Sequence, residues 1–178
     1  MNILVVTLSN FGDVILTTPV ITALARKYPG ARITVVVGPR AQAVLQRSPV
    51  IHRIVIYDKK APFHEKLKFI MALRKVRYDL VIDLRNTAIP FLTSCKKRTP
   101  LFRKFTQVNM RDRHLEMLAA TVDGAVGPSL QAAQRRDGAQ PFCFFNEVDE
   151  AFALKTLEID HVLEKNGWLV VAPGAASE

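Results

Sequence analysis

The segment "LSNFGDVILTTP", residues 8–19, joins an apolar run, "NILVVT", to a stretch with helical spacing, "VILTTPVITALARKY". A strand, a tight turn and a helix in that order commonly cradle a phosphate, because free N–H groups at a helix start attract anions. Here the turn holds one glycine, Gly12, and straight after it a carboxylate, Asp13, which repels a phosphate. The dinucleotide fingerprint needs several glycines, and the Walker pattern needs a closing Gly-Lys-Ser/Thr; the turn has neither. Two tasks are open to Asp13. It can cap the helix start and oppose the helix dipole. Facing a cleft, it can instead take a proton from a hydroxyl, help typically worth ~10²–10⁴ in rate. Asp13 is the only acidic residue among the first 57, in a stretch otherwise basic.

The elements that would position this turn alternate between two periods. A continuous apolar, β-branched run at 2–8 predicts a strand buried on both faces, and further strands are predicted at 32–38, 51–58 and 78–85. Helical spacing predicts helices at 13–28, 39–48, 65–77, 111–127 and 146–167, with a short helix in "NTAIPFLTSCKK" broken at Pro90. Residues 98–107 form a weaker strand candidate. The fold class this predicts is α/β, a Rossmann-like, doubly wound parallel sheet. Right-handed crossovers then line one edge with the segments 9–13, 38–40, 58–63 and 85–87, where ligands bind in such sheets. The closing run "WLVVAPGAASE" reads as one more strand and glycine turn, so residues 168–178 are expected to open a second domain after a first of 1–167.

Composition narrows the partners. Hydrophobic residues make up 49% of the 178, which fits a globular chain with a real core. No apolar run reaches the ~18–20 residues of a spanning helix, and the N-terminus lacks the features of a signal peptide. Cys95 and Cys143 have no metal-ligand spacing and form no disulfide framework, which fits reduced thiols in the cytoplasm. The net charge of +9 divides into +4 over residues 1–52, +11 over 53–113 and −6 over 114–178. Such a basic block predicts an anionic partner. Little aromatic interleaving accompanies it, which weighs against nucleic acid. A non-catalytic polyanion-binding domain and an NAD-binding Rossmann domain remain as competing readings.

The run "NILVVTLSNFGDVILTTPVITALARKYPGARITVVVGP" resembles the start of the ADP-heptose:lipopolysaccharide heptosyltransferases, glycosyltransferase family 9. "YDLVIDLRN" and "RHLEMLAATVDG" are similar to the family's fourth strand and its His-containing helix, and "WLVVAPGAAS" to the strand and turn that open its donor-binding domain. The resemblance implies the N-terminal half of a GT-B glycosyltransferase, two Rossmann-like domains across a cleft. It implies inverting transfer of heptose from ADP-heptose to the lipopolysaccharide inner core, with no required metal or other cofactor. Asp13 then maps onto the proposed general base. Ser9, Asn10, Gly12, Arg85, Lys59 and Lys60 are the expected acceptor contacts, and Gly174, Ala175 and Ser177 the start of the donor site. The implied acceptor, lipopolysaccharide core on lipid A, carries phosphates and is membrane-anchored. Lys96, Lys97 and Arg98 are therefore assigned to an anionic membrane surface or solvent, on the cytoplasmic face of the inner membrane. His114, Trp168 and both cysteines are expected to be structural. The family's donor-side lysine and acidic residues would lie beyond Glu178, so the chain alone is expected to bind acceptor without turnover. Where the family often carries Gln after the strand-four Asp, this chain reads "DLRN".

Overall fold

Strands that are apolar on both faces need cover on both, and the chain supplies it by winding helices onto either side of the sheet. The computed structural model describes residues 1–7, 10–100, 106–122 and 142–159. In chain order these form β1 (Asn2–Val6), α1 (Phe11–Lys27), β2 (Arg32–Val37), a 3-10 turn (Pro39–Ala41) running into α2 (Gln42–Leu45), and β3 (Arg53–Ile56). They continue with α3 (Phe63–Arg74), β4 (Tyr78–Asp83), α4 (Ile89–Leu92), β5 (Cys95–Arg98), α5 (Met110–Thr121) and α6 (Glu147–Ile159). The strands form one parallel sheet in the order β3-β2-β1-β4-β5, the doubly wound arrangement that the alternating pattern predicts.

Alternate residues of each strand serve opposite layers. Ile3, Val5, Ile33, Val35, Leu80 and Ile82 pack with Val14, Ile21 and Leu24 of α1, Leu45 of α2, and Leu115 and Leu118 of α5. Leu4, Val6, Val36 and Val81 face the other way, against Leu73 of α3 and Ile89 of α4. Pro19 sits inside α1 and cannot donate to the Ile15 carbonyl. Thr18 Oγ1 donates to that carbonyl at 2.8 Å, so the missing N–H leaves no buried acceptor bare. Gly30, with φ of 76°, then turns the chain from α1 into β2.

One strand falls earlier than expected. β5 lies at Cys95–Arg98, mostly inside the stretch read as a broken helix, and meets the strand candidate at 98–107 only at Arg98; residues 101–105 of that candidate lie outside the described residues. β5 is an edge strand with "CKKR" largely exposed, so it has no apolar run for a period-2 reading to find. Lys96 Nζ reaches Asp79 Oδ1 at 2.6 Å, an ion pair with the neighbouring β4. Cys143 is exposed, against its expected place in the core, and Cys95 is half-buried; the two form no disulfide.

The chain divides into a unit of Met1–Phe144 and a second unit that begins at Phe145. In the second, α6 opens on a reciprocal cap. Asn146 Oδ1 accepts from the Asp149 N–H at 3.0 Å, and Asp149 Oδ2 accepts from the Asn146 N–H at 3.2 Å. The expected strand and turn at 168–178, including Trp168, lie outside the described residues.

Candidate functional site

In this strand order the winding direction reverses between β1 and β4, and the crevice beyond their carboxyl ends is where open α/β sheets bind ligands. Val6 pairs with Asp83, and the Leu84 N–H donates to the Val6 carbonyl at 3.0 Å. The segments leaving β1 and β4 therefore start side by side. α1 begins at Phe11, two residues before the predicted start at 13, with Asn10 as its N-cap. Phe11 is exposed, so the apolar period cannot reveal this first turn. Gly12 and Asp13 thus stand within the helix's first turn rather than in a loop before it.

The Asp13 carboxylate is half-exposed, and among the described residues its one hydrogen bond comes from Asn10 Nδ2, 3.3 Å from Oδ2. A carboxylate used as a cap would be occupied by backbone N–H groups; this one is held by a single neutral amide. Gly12 adds to the openness. A Cβ there would meet nothing within 4 Å, and the backbone is not left-handed, so neither space nor φ demands glycine. Glycine costs a helix roughly 1 kcal/mol relative to alanine.

Beside this helix start lies an open cleft of about 420 Å³ lined by Asn10, Pro39, Arg40, Tyr57, Asp58, Lys59 and Lys60. It joins the segments that follow β1, β2 and β3, three of the four expected at the working edge. Of the sequence candidates, Asn10, Lys59 and Lys60 line it together. Arg40 joins them as a third cation that was not singled out, although Pro-Arg directly after strand two placed it on that edge. Asp58 was also missed. Its Oδ1 accepts from the Lys60 N–H at 2.8 Å, a short turn that fixes the two lysines after the strand. Ser9, Gly174, Ala175 and Ser177 lie outside the described residues.

Arg85 is not among the cleft-lining residues. Its N–H instead donates to Asp83 Oδ1 at 2.8 Å, while the N–H and Oγ1 of Thr87 donate to Asp83 Oδ2 at 2.5 and 2.8 Å. Asn86 turns between them with φ of 56°. The last residue of β4 is thus a buried carboxylate that folds the following turn around itself. Burial raises its pKa above the ordinary carboxylate value, against these hydrogen bonds and the nearby Arg85 charge.

His114 of α5 is buried against α1, its Nδ1 3.3 Å from the Leu16 carbonyl. A carbonyl can only accept, so Nδ1 carries the proton and Nε2 is a lone pair in the neutral ring. Nε2 has no hydrogen-bond partner among the described residues. Burial lowers the His114 pKa below its usual value; the Leu16 contact and the Asp13 carboxylate oppose that shift. A histidine depressed in the folded state contributes stability above its unfolded pKa and loses it as pH falls through the folded one. The protein is accordingly expected to lose stability on acidification below ~6.5. His114→Asn, which keeps a donor for Leu16, should flatten that slope in urea midpoints measured between mildly alkaline and mildly acid buffer. Equal slopes would remove the ring from the titration.

Among the described residues no group of His, Cys, Asp and Glu could hold a metal ion, and no helix is long and apolar enough to cross a membrane.

No family-level profile matches the chain. It is similar to lipopolysaccharide heptosyltransferase 3 of Escherichia coli, 38% identical over 80 residues, covering 42% of the chain and 24% of that protein. It is likewise similar to lipopolysaccharide heptosyltransferase 3 of Escherichia coli strain K12, 32% identical over 109 residues, covering 58% of the chain and 31% of that protein. Among solved structures, the E. coli heptosyltransferase WaaC with ADP-2-deoxy-2-fluoro heptose superposes with a TM-score of 0.61 at 22% identity, over 79% of this chain and 55% of that one. These matches support the heptosyltransferase family, glycosyltransferase family 9, over the part of those proteins that the chain covers. It spans between a quarter and a third of the length of the curated heptosyltransferases it matches. The WaaC likeness, at that identity, is one of fold, and it agrees with the doubly wound α/β sheet described above.

Proposed function

We propose that the chain is the acceptor side of an inverting glycosyltransferase that moves a heptose from ADP-heptose to the inner core of lipopolysaccharide. The observation that carries the reading is Asp13, a half-exposed carboxylate at the crevice end of the sheet, engaged among the described residues by one amide only. In the proposed step an acceptor hydroxyl attacks the anomeric carbon as ADP leaves from the opposite face, and Asp13 takes the hydroxyl proton. The ADP departs with the bonding electron pair. Arg40, Lys59 and Lys60 suit an acceptor that carries phosphates, since charge-assisted bonds from such groups are the strong ones.

We propose that the donor is held by a second domain that residues 168–178, outside the described residues, would begin, with Gly174, Ala175 and Ser177 as contacts for the donor diphosphate. ADP-heptose is supported as donor by WaaC, solved with a fluorinated ADP-heptose.

The test is direct transfer: the full-length protein, ADP-heptose and an inner-core acceptor, read as the mass gain of one heptose and as ADP release. No transfer to any heptose-accepting core would overturn the activity. Arg40→Ala, Lys59→Ala and Lys60→Ala are each expected to raise the acceptor KM by roughly 10–100-fold, the worth of one hydrogen bond to a charged group, with a smaller change in kcat. An unchanged KM in all three would take the acceptor out of this cleft.

A further inference from the structure

α3 carries an apolar stripe that nothing in the core uses. Its core side is Phe69, Ile70 and Leu73; Phe69 stacks on Tyr57 with ring centroids 5.0 Å apart. Phe63, Leu67 and Met71 recur every fourth residue, and they are 81%, 49% and 57% exposed. At 100° per residue they fall within about 80° of one another, away from the core side. The same wheel sets Arg74 inside the stripe and His64, Lys68 and Lys75 along one flank, while Glu65, the one acidic residue of α3, falls on the far side. α4 packs beside α3 and adds exposed Phe91 and Leu92. The Arg98 guanidinium lies over the Phe91 ring, 4.9 Å from its centroid, and Arg98 Nη1 donates to the Pro90 carbonyl at 3.1 Å.

A helix with a large apolar residue each turn, cations along the stripe and its acid turned away has the build of an in-plane membrane helix. The cations select the sign of the surface. Basic side chains beside a bilayer draw it in when it carries anionic headgroups, and the attraction fades within a Debye length. Lys59 and Lys60, which line the cleft, immediately precede this helix. A bilayer against α3 would therefore lie close to where a lipid-borne polar group enters. The cations first assigned to such a surface fit it less well: Lys96 is paired with Asp79, and Arg98 is spent on Phe91 and Pro90.

We infer that α3, flanked by α4, is a docking face for an anionic lipid bilayer, with Phe63, Leu67 and Met71 entering the acyl boundary and Lys68, Arg74 and Lys75 meeting headgroup phosphates. The inference stands apart from the transfer reaction. A protein that binds vesicles and transfers no heptose leaves it intact, and one that transfers heptose without binding vesicles removes it.

The test is co-sedimentation of the protein with phosphatidylcholine vesicles, with and without about one-third phosphatidylglycerol. Binding is expected with the anionic vesicles only, weakened by salt, and about tenfold or more weaker in the triple variant Phe63→Ser, Leu67→Ser, Met71→Ser. The three side chains are exposed, so the variant should keep its thermal midpoint. As a second readout, Leu67→Trp in a Trp168→Phe background should shift its emission to the blue on anionic vesicles and be quenched by brominated acyl chains. No vesicle binding, equal binding to both compositions, equal binding by the triple variant, or an unquenched Trp would each overturn the inference. So would self-association in lipid-free buffer that the triple variant abolishes while vesicles go unbound; the stripe would then belong to a second copy of the chain.

Discussion

Asp13→Asn in the full-length transferase is expected to lower kcat by about 10²–10⁴-fold while leaving the fold in place. The substitution changes no volume, and its Oδ1 can still accept from Asn10 Nδ2, so α1 keeps its first turn. What is lost is a basic oxygen, together with ~0.3–1 kcal/mol of charge–dipole stabilisation at the helix start. A merely structural carboxylate would show the second effect without the first. The separating measurements are kcat against KM and a urea midpoint. Activity within a few-fold of wild type at an unchanged midpoint would remove Asp13 from the chemistry and leave it a helix-start residue.

The largest effect on stability is expected at Asp83, which was read only as part of a strand. It is 2% exposed and accepts from the N–H of Arg85 and from both the N–H and hydroxyl of Thr87. Asp83→Ala strips the acceptor from these donors, each unsatisfied buried donor costing ~1–3 kcal/mol, and partial access to water limits the total to about 2–4 kcal/mol. Against a domain stability of ~5–15 kcal/mol that is a large share. Denaturant midpoints at constant m would register it. Asp83→Asn keeps one acceptor oxygen and should recover part of the loss. An alanine variant within ~0.5 kcal/mol of wild type, the range of an ordinary surface change, would mean that the turn holds without its carboxylate. The pH dependence runs opposite to that of a salt-bridged acid. Because burial raises this carboxyl's pKa, its favourable contribution is complete below ~3.9 and is lost as pH climbs through the folded value. Asp83→Asn removes that titration.

The strand–helix alternation was legible because β1, β2 and β4 are apolar on both faces, and a run buried twice over has no other soluble home. The working edge followed from topology alone, which brought Asn10, Lys59 and Lys60 into one cleft from two separate loops. The site's finer geometry was not legible, for physical reasons. The start of α1 was misplaced because its first residue points into solvent and carries no periodic signal. β5 was misplaced because an edge strand is shielded by charge rather than by burial. Arg85 looked like a ligand-binding side chain at a strand end, yet the residue that shapes that end is Asp83, through backbone N–H groups whose direction only the folded turn sets. His114, expected to be structural, is buried. Its unpartnered Nε2 and its electrostatic tie to Asp13 depend on how α5 leans on α1, across nearly a hundred residues of chain.

The strand order also governs how the molecule emerges from the ribosome. β1 is made first but holds the centre of the sheet, and the partner for its second edge, β4, is translated only when residues 78–83 appear. At ~5–20 residues per second the "NILVV" strand waits roughly 4–15 s with one side unsatisfied, in a nascent chain that can offer it only β2. Pauses in translation ahead of Tyr78 would lengthen that exposure, whereas pauses after Asp83 would fall when the central pairings can already form.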